Sequence, residues 1–399
     1  MIAIHAALFW TLHRQLRQGY SDFTILYAAG RIVRTGLGHQ LYEPQTQWGI
    51  EQSFAPRVDI RHGPLPYNHA PFEAWIFAPL SGFSFGTAYV IWIAVNLLML
   101  IVVARLTCRY TSGGQGMGFT LLLFLAFFPV FVTLLQGQDS ILLLLLYVSA
   151  FECVFSNRSF LAGMLLAVGC FKLHLVLPLV AILVYQKYWR VLAGFAVCSV
   201  FLFLASVATI GWRNMMAYPH YVWSLNQRPD IGAVKPQLMP NLRGLLDGFL
   251  HGRLSSMFVT GLVFVVSATL VLLAAESWRR MRVAGMAGSS REQSLGFSLA
   301  VLTTVIVSYH LYAYDATLLL IPILVVGKAV IQNKEIGQLL RVATLLLGVT
   351  LFCTPVWALL LFKIGYLNLM CLPLLFLGWV TLKVMFAPLP QVVPAVESY

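Results

Sequence analysis

Charge is scarce in this chain: Asp, Glu, Lys and Arg make up 10% of 399 residues, against 59% hydrophobic residues. Soluble domains are about one quarter charged, so a water-soluble globular enzyme is excluded. The six cysteines (Cys108, Cys153, Cys170, Cys198, Cys353 and Cys371) lie in or beside apolar segments and include no C-x-x-C pair. That pattern excludes a disulfide frame and a thiolate metal site, and the cysteines read as small buried hydrophobes. No glycine-rich loop that could cradle a nucleotide is present. No fixed-period repeat relates the two halves, so the inverted-repeat signature of many secondary transporters is missing. Residues 1–12 lack the basic region of a secretory signal peptide and read as a short first span, a start that truncation would also produce. The balance of 26 Lys and Arg against 14 Asp and Glu gives +12. The basic residues are scattered between apolar runs and form no basic face, so nucleic acid is excluded as a partner.

What the chain has in abundance is apolar length. Mean hydropathy is +0.82, and at ~20 residues per bilayer crossing the apolar content supplies roughly eleven or twelve transmembrane helices. Apolar runs at 86–107, 117–135, 140–155, 191–212, 256–277, 295–309, 316–331, 340–361 and 367–386 read as spans. Runs 161–171 and 175–185 are too short to cross alone and meet at Lys172 and His174, which predicts two short helices whose junction points into a polar cavity. Run 72–80 reads as re-entrant or interfacial. The expected fold is all-α and integral to the membrane: a single polytopic bundle over 1–387, with outer loops 11–70 and 213–255, outer juxtamembrane helices, and a cytoplasmic tail at 388–399 rich in proline.

Orientation follows from basic residues in short loops, which accumulate on the cytoplasmic side. One set of alternate connections holds Arg105, Arg109, Arg158, Lys187, Arg279 and Lys328 among others, whereas the other short connections hold only Lys172 and Lys363. The two long loops are then expected outside. All six aspartates (Asp22, Asp59, Asp139, Asp230, Asp247, Asp315) fall on that side, as do eight of nine histidines, His5 being the exception. Glu152, Glu276, Glu292, Glu335 and Glu397 fall inside. The outer face is therefore the expected working face, although the long loops alone would also place Asp and His there.

Asp22 precedes a run in which Phe23, Leu26, Tyr27, Gly30 and Val33 recur at helical spacing, predicting an amphipathic helix lying on the outer membrane surface. Asp22 is either its N-cap or a general base held at the membrane boundary. The stretches 38–44 and 66–72 alternate proline and aromatic residues without a period, as in irregular backbone lining a cleft; His39, His62 and His69 of the first long loop are too irregularly spaced for a metal site. Gln136-Gly137-Gln138-Asp139-Ser140 reads as a tight turn with a cap, carrying two amides more than a turn needs. Lys172 and His174 are costly in a membrane interior and either snorkel or hold a lipid phosphate. The run 308–315 offers His310, three tyrosines and Asp315 as sugar-stacking, proton-sharing or capping groups. The second long loop adds Asn226, Gln227, Arg228 and, within Asn241-Leu242-Arg243-Gly244, Arg243 as an anion-binding candidate.

In their order, Ser21-Asp22-Phe23, Tyr27-Ala28-Ala29, the 38–42 stretch, Pro66 to Pro71, Gln136-Gly137-Gln138, Ala162-Gly163, Lys172, Lys187-Tyr188-Trp189-Arg190, Asn241-Leu242-Arg243-Gly244, His310 and Tyr314-Asp315 resemble the bacterial polyprenyl-phosphate-mannose-dependent α-(1,2)-mannosyltransferases. These form glycosyltransferase family 87, of the GT-C class. The resemblance implies a helical membrane domain with its site at the outer boundary, a sugar donor linked through one phosphate to a polyprenol, and Asp22 at the position of the family's catalytic aspartate. The short first span and Asp139 after Gln138 depart from the pattern. The mechanism expected is a single displacement with inversion. Asp22 is its base, His310 orients it, and Lys172, His174 and Arg243 bind the departing phosphate. Tyr27, Tyr67, Gln136, Gln138, Asn241, Tyr314 and Asp315 are expected around sugar or acceptor, a lipid or glycan. No cofactor and no metal are expected. The alternative is a transporter or flippase for a sugar or lipid-linked sugar, disfavoured by inner ends that are short and poor in Asp and His.

Overall fold

The computed structural model describes residues 1–56, 58, 63–111, 116–225, 234–250, 252–286, 289–333, 335–363 and 368–387. The expected tail at 388–399, together with His62, Asn226, Gln227 and Arg228, lies outside the described residues. The described residues contain helices and turns and no strand.

The chain enters as α1 (Ile2–Gln15), turns over Leu16–Tyr20 and brings Asp22 to the head of α2 (Phe23–Arg34). The surface-lying helix read from the sequence is instead buried. Phe23, Leu26, Tyr27 and Ile32 are enclosed among α3 (Pro44–Phe54), the short piece Ala74–Phe77 and α4 (Phe85–Thr107). Ala28 and Ala29 are small enough for a further flank to pack as well, and Gly30 on the apolar face lets a neighbour approach: a Cβ there would sit 2.6 Å from the Phe77 carbonyl oxygen.

The apolar run after α4 divides into α5 (Met117–Ala126) and α6 (Phe128–Gln136), bent by 74°. Pro129 causes the bend, since it has no N–H for the carbonyl four residues back and disfavours helix in the residue before it. That freed carbonyl, Leu125 O, is met instead by His5 Nδ1 at 3.0 Å. The His5 ring stacks on Phe131 and its Nε2 lies 2.6 Å from Thr354 Oγ1.

Next come α7 (Ser140–Phe155), α8 (Ser159–Val168) and α9 (Leu173–Tyr185). The two short helices expected at 161–185 are joined by a tightened turn, Gly169–Lys172, into a single span of 27 residues. The polar junction survives within one span because Lys172 finds carboxylates inside the protein. α8 then packs on α10 (Trp189–Ile210). At their crossing, a Cβ on Gly163 would overlap the Val191 carbonyl, and one on Gly194 the Phe160 carbonyl. Small residues here let two backbones touch, which is how membrane helices gain contact where lipid gives no hydrophobic drive.

The second long loop carries α11 (Trp212–Leu225) and α12 (Leu242–Leu250). The bundle closes with α13 (Ser256–Met281), α14 (Ser290–Val307), α15 (Leu320–Gln332, entered through the turn Ala313–Leu319), α16 (Gln338–Phe352), α17 (Thr354–Ala358) and α18 (Cys371–Met385). The run holding α16 and α17 is bent by 71° just before Pro355. α14 is central: every residue from Leu295 to Val307 is buried, and it packs against α9, α13, α15 and α18. α10, α13 and α16 lie outside and present bare apolar flanks, as at Phe201, Val265 and Val349. Such flanks require lipid contact.

Five helices among the described residues are long and apolar enough to cross a bilayer, or seven if each bent pair is one crossing. The expected eleven or twelve is therefore not reached by length and composition; α7 and α18 are apolar but shorter, at 16 and 15 residues. The chain is a multi-pass helical membrane protein. Replacing Gly194 by alanine should cost about 1–3 kcal/mol, because the two backbones must part. Gly261→Ala, with nothing within 4 Å of the added Cβ, should leave thermal unfolding in detergent unchanged or slightly raised.

Candidate active site

The polar groups of α2, α6, α7, α9 and the 308–315 turn converge at one face of the bundle. The Gln136–Asp139 loop is its hinge. Gly137 takes the left-handed conformation, with φ +63°, and a Cβ there would lie 2.8 Å from Phe23 Cβ. Trp92 Nε1 donates to Gly137 O at 2.9 Å and Tyr89 Oη to Leu135 O at 2.9 Å. This clamp points both glutamines at Asp22: the Asp22 amide donates to Gln136 Oε1 at 3.0 Å, and Gln138 Nε2 donates to Asp22 Oδ2 at 3.0 Å. Asp22 stands at the N-cap position, but its side chain makes no cap bond to α2.

Behind this loop lies a ladder of buried charges. Lys172 Nζ is 2.6 Å from Asp139 Oδ1, 2.6 Å from Asp315 Oδ1 and 2.8 Å from Ser140 Oγ. Asp139 Oδ2 is 3.3 Å from His69 Nδ1, which is 2.7 Å from Glu73 Oε2. Tyr67 Oη completes the row, donating to Glu73 at 3.0 Å. Asp315 Oδ2 accepts the Tyr312 amide at 3.1 Å, so it caps its helix and neutralises Lys172 at once. Burial opposes the His69 imidazolium, but Glu73 and Asp139 outweigh it and lift its pKa to about 10. Burial raises Glu73 to about 8 with help from Asp139, against His69. For Asp139 burial is overcome by Lys172, Glu73 and His69, which hold it well below the usual carboxylate range.

On the other flank, Arg243 donates to Tyr309 O at 2.8 Å, and its guanidinium lies 3.9 Å from the Tyr309 ring centre. Rings continue from there: His310 meets His174 edge-on at 5.5 Å and Tyr312 at 4.9 Å, and Tyr312 meets Tyr314 at 5.8 Å. Burial pushes the Tyr312 hydroxyl up against the opposing hydrogen bond from the Lys235 amide, with Asp22 and Asp315 adding to the rise and Arg243 opposing it. Burial, then Arg243, His69 and Lys172, drive His310 down to about 3. It is a neutral imidazole at ordinary pH.

Several residues expected at a sugar serve other groups. Tyr27 is enclosed between Phe54 and Phe85 and donates to Phe83 O, so it belongs to the core. Asn241 has both ends of its amide engaged, on Ser308 O and the Gly244 amide. Tyr67 holds Glu73, and Gln136 and Gln138 hold Asp22. Lys172 neither snorkels nor stands as a free cation for phosphate, because two carboxylates take up its charge. Asp315 is engaged with it, and the Tyr314 ring lies 5.0 Å from the same ammonium. The His310 ring meets His174 and Tyr312, and both glutamines reach Asp22. Glu73 is a member of the ladder that sequence reading missed; the one local signal is its spacing of four from His69.

His69, Glu73 and Asp139 bring ligand atoms within 4.8 Å of one another. One nitrogen and two carboxylates could hold a divalent ion, but Lys172 already neutralises Asp139 and His69 bridges both acids.

The fold and this constellation define a multi-pass membrane protein with one buried ionic centre opening on a carboxylate and a guanidinium. The sequence profile of glycosyltransferase family 87 matches residues 67–308, more than half of the chain, and the chain belongs to that family. It is a membrane glycosyltransferase, which sets the transporter alternative aside. The matched region holds the ladder from His69 to Lys172 and Arg243; Asp22, His310 and Asp315 lie outside it. No curated protein and no solved structure matches the chain.

Removing the Lys172 ammonium should strand two buried carboxylates: Lys172→Met should lower stability by about 3–5 kcal/mol, and adding Asp315→Asn should return part of it. The raised pKa values fix the sign of a pH dependence. Glu73 stabilises fully below its ordinary 4.5 and loses this by about 8; His69 stabilises fully below 6.5 and loses this by about 10. Unfolding temperature should therefore fall as pH rises through this range, and the double change His69→Gln with Glu73→Gln should flatten the decline.

Proposed function

We propose that the protein transfers a hexose, mannose by family resemblance, from a polyprenyl-phosphate donor to a lipid or glycan acceptor, with inversion. The observation that carries this reading is Asp22: a carboxylate that accepts from Gln138, on a residue whose amide is fixed by Gln136, without a capping bond to its own helix. In the step proposed, Asp22 takes the proton of the acceptor hydroxyl while that oxygen bonds to the anomeric carbon. The bond from that carbon to the phosphate oxygen breaks, and polyprenyl phosphate leaves with the electron pair. Arg243 meets the growing negative charge. His310, being neutral, contributes a hydrogen bond to phosphate or sugar and no charge, and His174 stands beside it. Tyr312 and Tyr314 offer ring faces to the sugar.

Lys172, Asp139, Asp315, Glu73 and His69 act through the loop. Their ladder fixes Asp139, hence Gln138, hence the direction of the Asp22 carboxylate. A donor buried in lipid accounts for a site at the ends of the helices. The excess of Arg and Lys in short loops at the opposite ends supports placing this face toward the periplasm or cell exterior, in the inner or plasma membrane.

The test is transfer of radiolabelled mannose from polyprenyl-phosphate-mannose to endogenous acceptors in membrane vesicles. Asp22→Asn at matched expression should lower transfer by about 100-fold or more. Survival of transfer in that variant would remove Asp22 from its role. Transfer should persist in excess chelator; loss that a divalent ion restores would make His69, Glu73 and Asp139 a metal centre.

A further inference from the structure

A second polar hollow lies at the other end of the bundle. α7 leaves the candidate site at Ser140 and ends at Phe155, ~24 Å away at 1.5 Å per residue. α15, entered at Asp315, ends near Gln332, and α14 runs back from Ser290 to the 308–315 turn. These far ends, with Arg109, Tyr110 and Val384, surround a cavity of about 450 Å³. That is the size of a small-molecule pocket.

Its charge is one-sided. Arg109, Arg291 and Lys328 line it. Glu152 takes up Arg109 at 2.5 Å, but the other two cations rest on neutral oxygens. Arg291 Nη2 donates to Val384 O at 2.8 Å and Ala387 O at 3.1 Å, and Lys328 Nζ donates to Arg109 O at 2.7 Å. Among the described residues no carboxylate pairs with either. Ser290 and Ser294 add hydroxyls to the same wall. Gln332 and Asn333 add amides, Tyr110 borders the same space, and Phe155, Leu295, Val325, Ala329 and Val384 form an apolar part of the wall; Ile331 and Phe386 nearby are half exposed.

We propose that this cavity binds the phosphate headgroup of an anionic membrane lipid, Arg291 and Lys328 holding the phosphate and the apolar wall receiving the start of the acyl chains. Basic pockets between helices at a membrane face recognise lipid phosphates in this way. A free phosphate would use the cations and leave the apolar wall empty. The site is separate from the transfer centre and does not depend on the donor proposed there.

Native mass spectrometry of the purified full chain, titrated with phosphatidylglycerol and phosphatidylcholine, tests the proposal. Phosphatidylglycerol should bind about 10-fold tighter, and the preference should vanish in Arg291→Gln with Lys328→Gln. Should that variant fail to fold by thermal unfolding, Ala329→Glu places a carboxylate in the cavity wall while leaving Arg291 and Lys328 in place, and should abolish the preference as well. Equal binding of the two lipids, or a preference that survives both variants, overturns the proposal. Displacement of phosphatidylglycerol by millimolar inorganic phosphate, with phosphate itself retained by the wild type and lost in the variants, would assign the cavity to a soluble phosphate and overturn the lipid.

Discussion

One ammonium organises the candidate site. Lys172, two residues short of His174 in a span of otherwise apolar residues, stands 2.6 Å from each of two aspartates that belong to different helices. Isolated, any of the three charges would be costly to bury; together, with Ser140 and the Tyr312 amide as further partners, they are self-consistent. The arrangement fixes the starts of α7 and α15 against the middle of the α8–α9 span. Through Asp139 it reaches His69 and Glu73, which brings in the first long loop as well. Thr317, donating to Ser140 O at 3.3 Å, and Thr133, donating to Tyr314 O at 3.2 Å, reinforce the same junction.

The same constraint divides the labour among the polar residues. Groups at full depth are engaged with one another and set geometry. Groups at the margin, Asp22 and Arg243, are oriented from behind by amides, carbonyls and rings. His310, driven down by burial and by Arg243, is neutral and adds no second permanent cation beside the guanidinium. If the leaving group is the lipid phosphate proposed above, this restraint favours its release, since excess positive charge would bind the product too tightly.

Helix positions were legible because apolar runs have length and proline has a mechanism: Pro129 and Pro355 mark the two bends. The α2 helix and the polar loop at 136–140 were legible from spacing and composition, and Lys172 stood out as an anomaly. Its partners did not, because the link from Lys172 to Asp315 crosses 143 residues and no local pattern encodes a tertiary pair. Tyr27 and Asn241 show the complementary limit. A residue type reveals the capacity to hydrogen-bond, while the backbone oxygen or amide that takes it up is a property of the fold. Glu73 hid in a stretch whose prolines suggested irregular chain, and the short turn Pro71–Glu73 there brings it back onto His69.

The ladder also imposes an order on biogenesis. Asp139 and Lys172 lie on neighbouring hairpin elements and enter the membrane early, whereas Asp315 is made 143 residues after Lys172. Until then the lysine has one of its two carboxylates, and the start of α7 is held from one side only. Insertion of the central α14 and the turn that follows it is thus the event that locks the earlier helices. A nascent chain stalled before residue 315 would carry an incompletely paired charge inside the bilayer, a ready mark for membrane quality control.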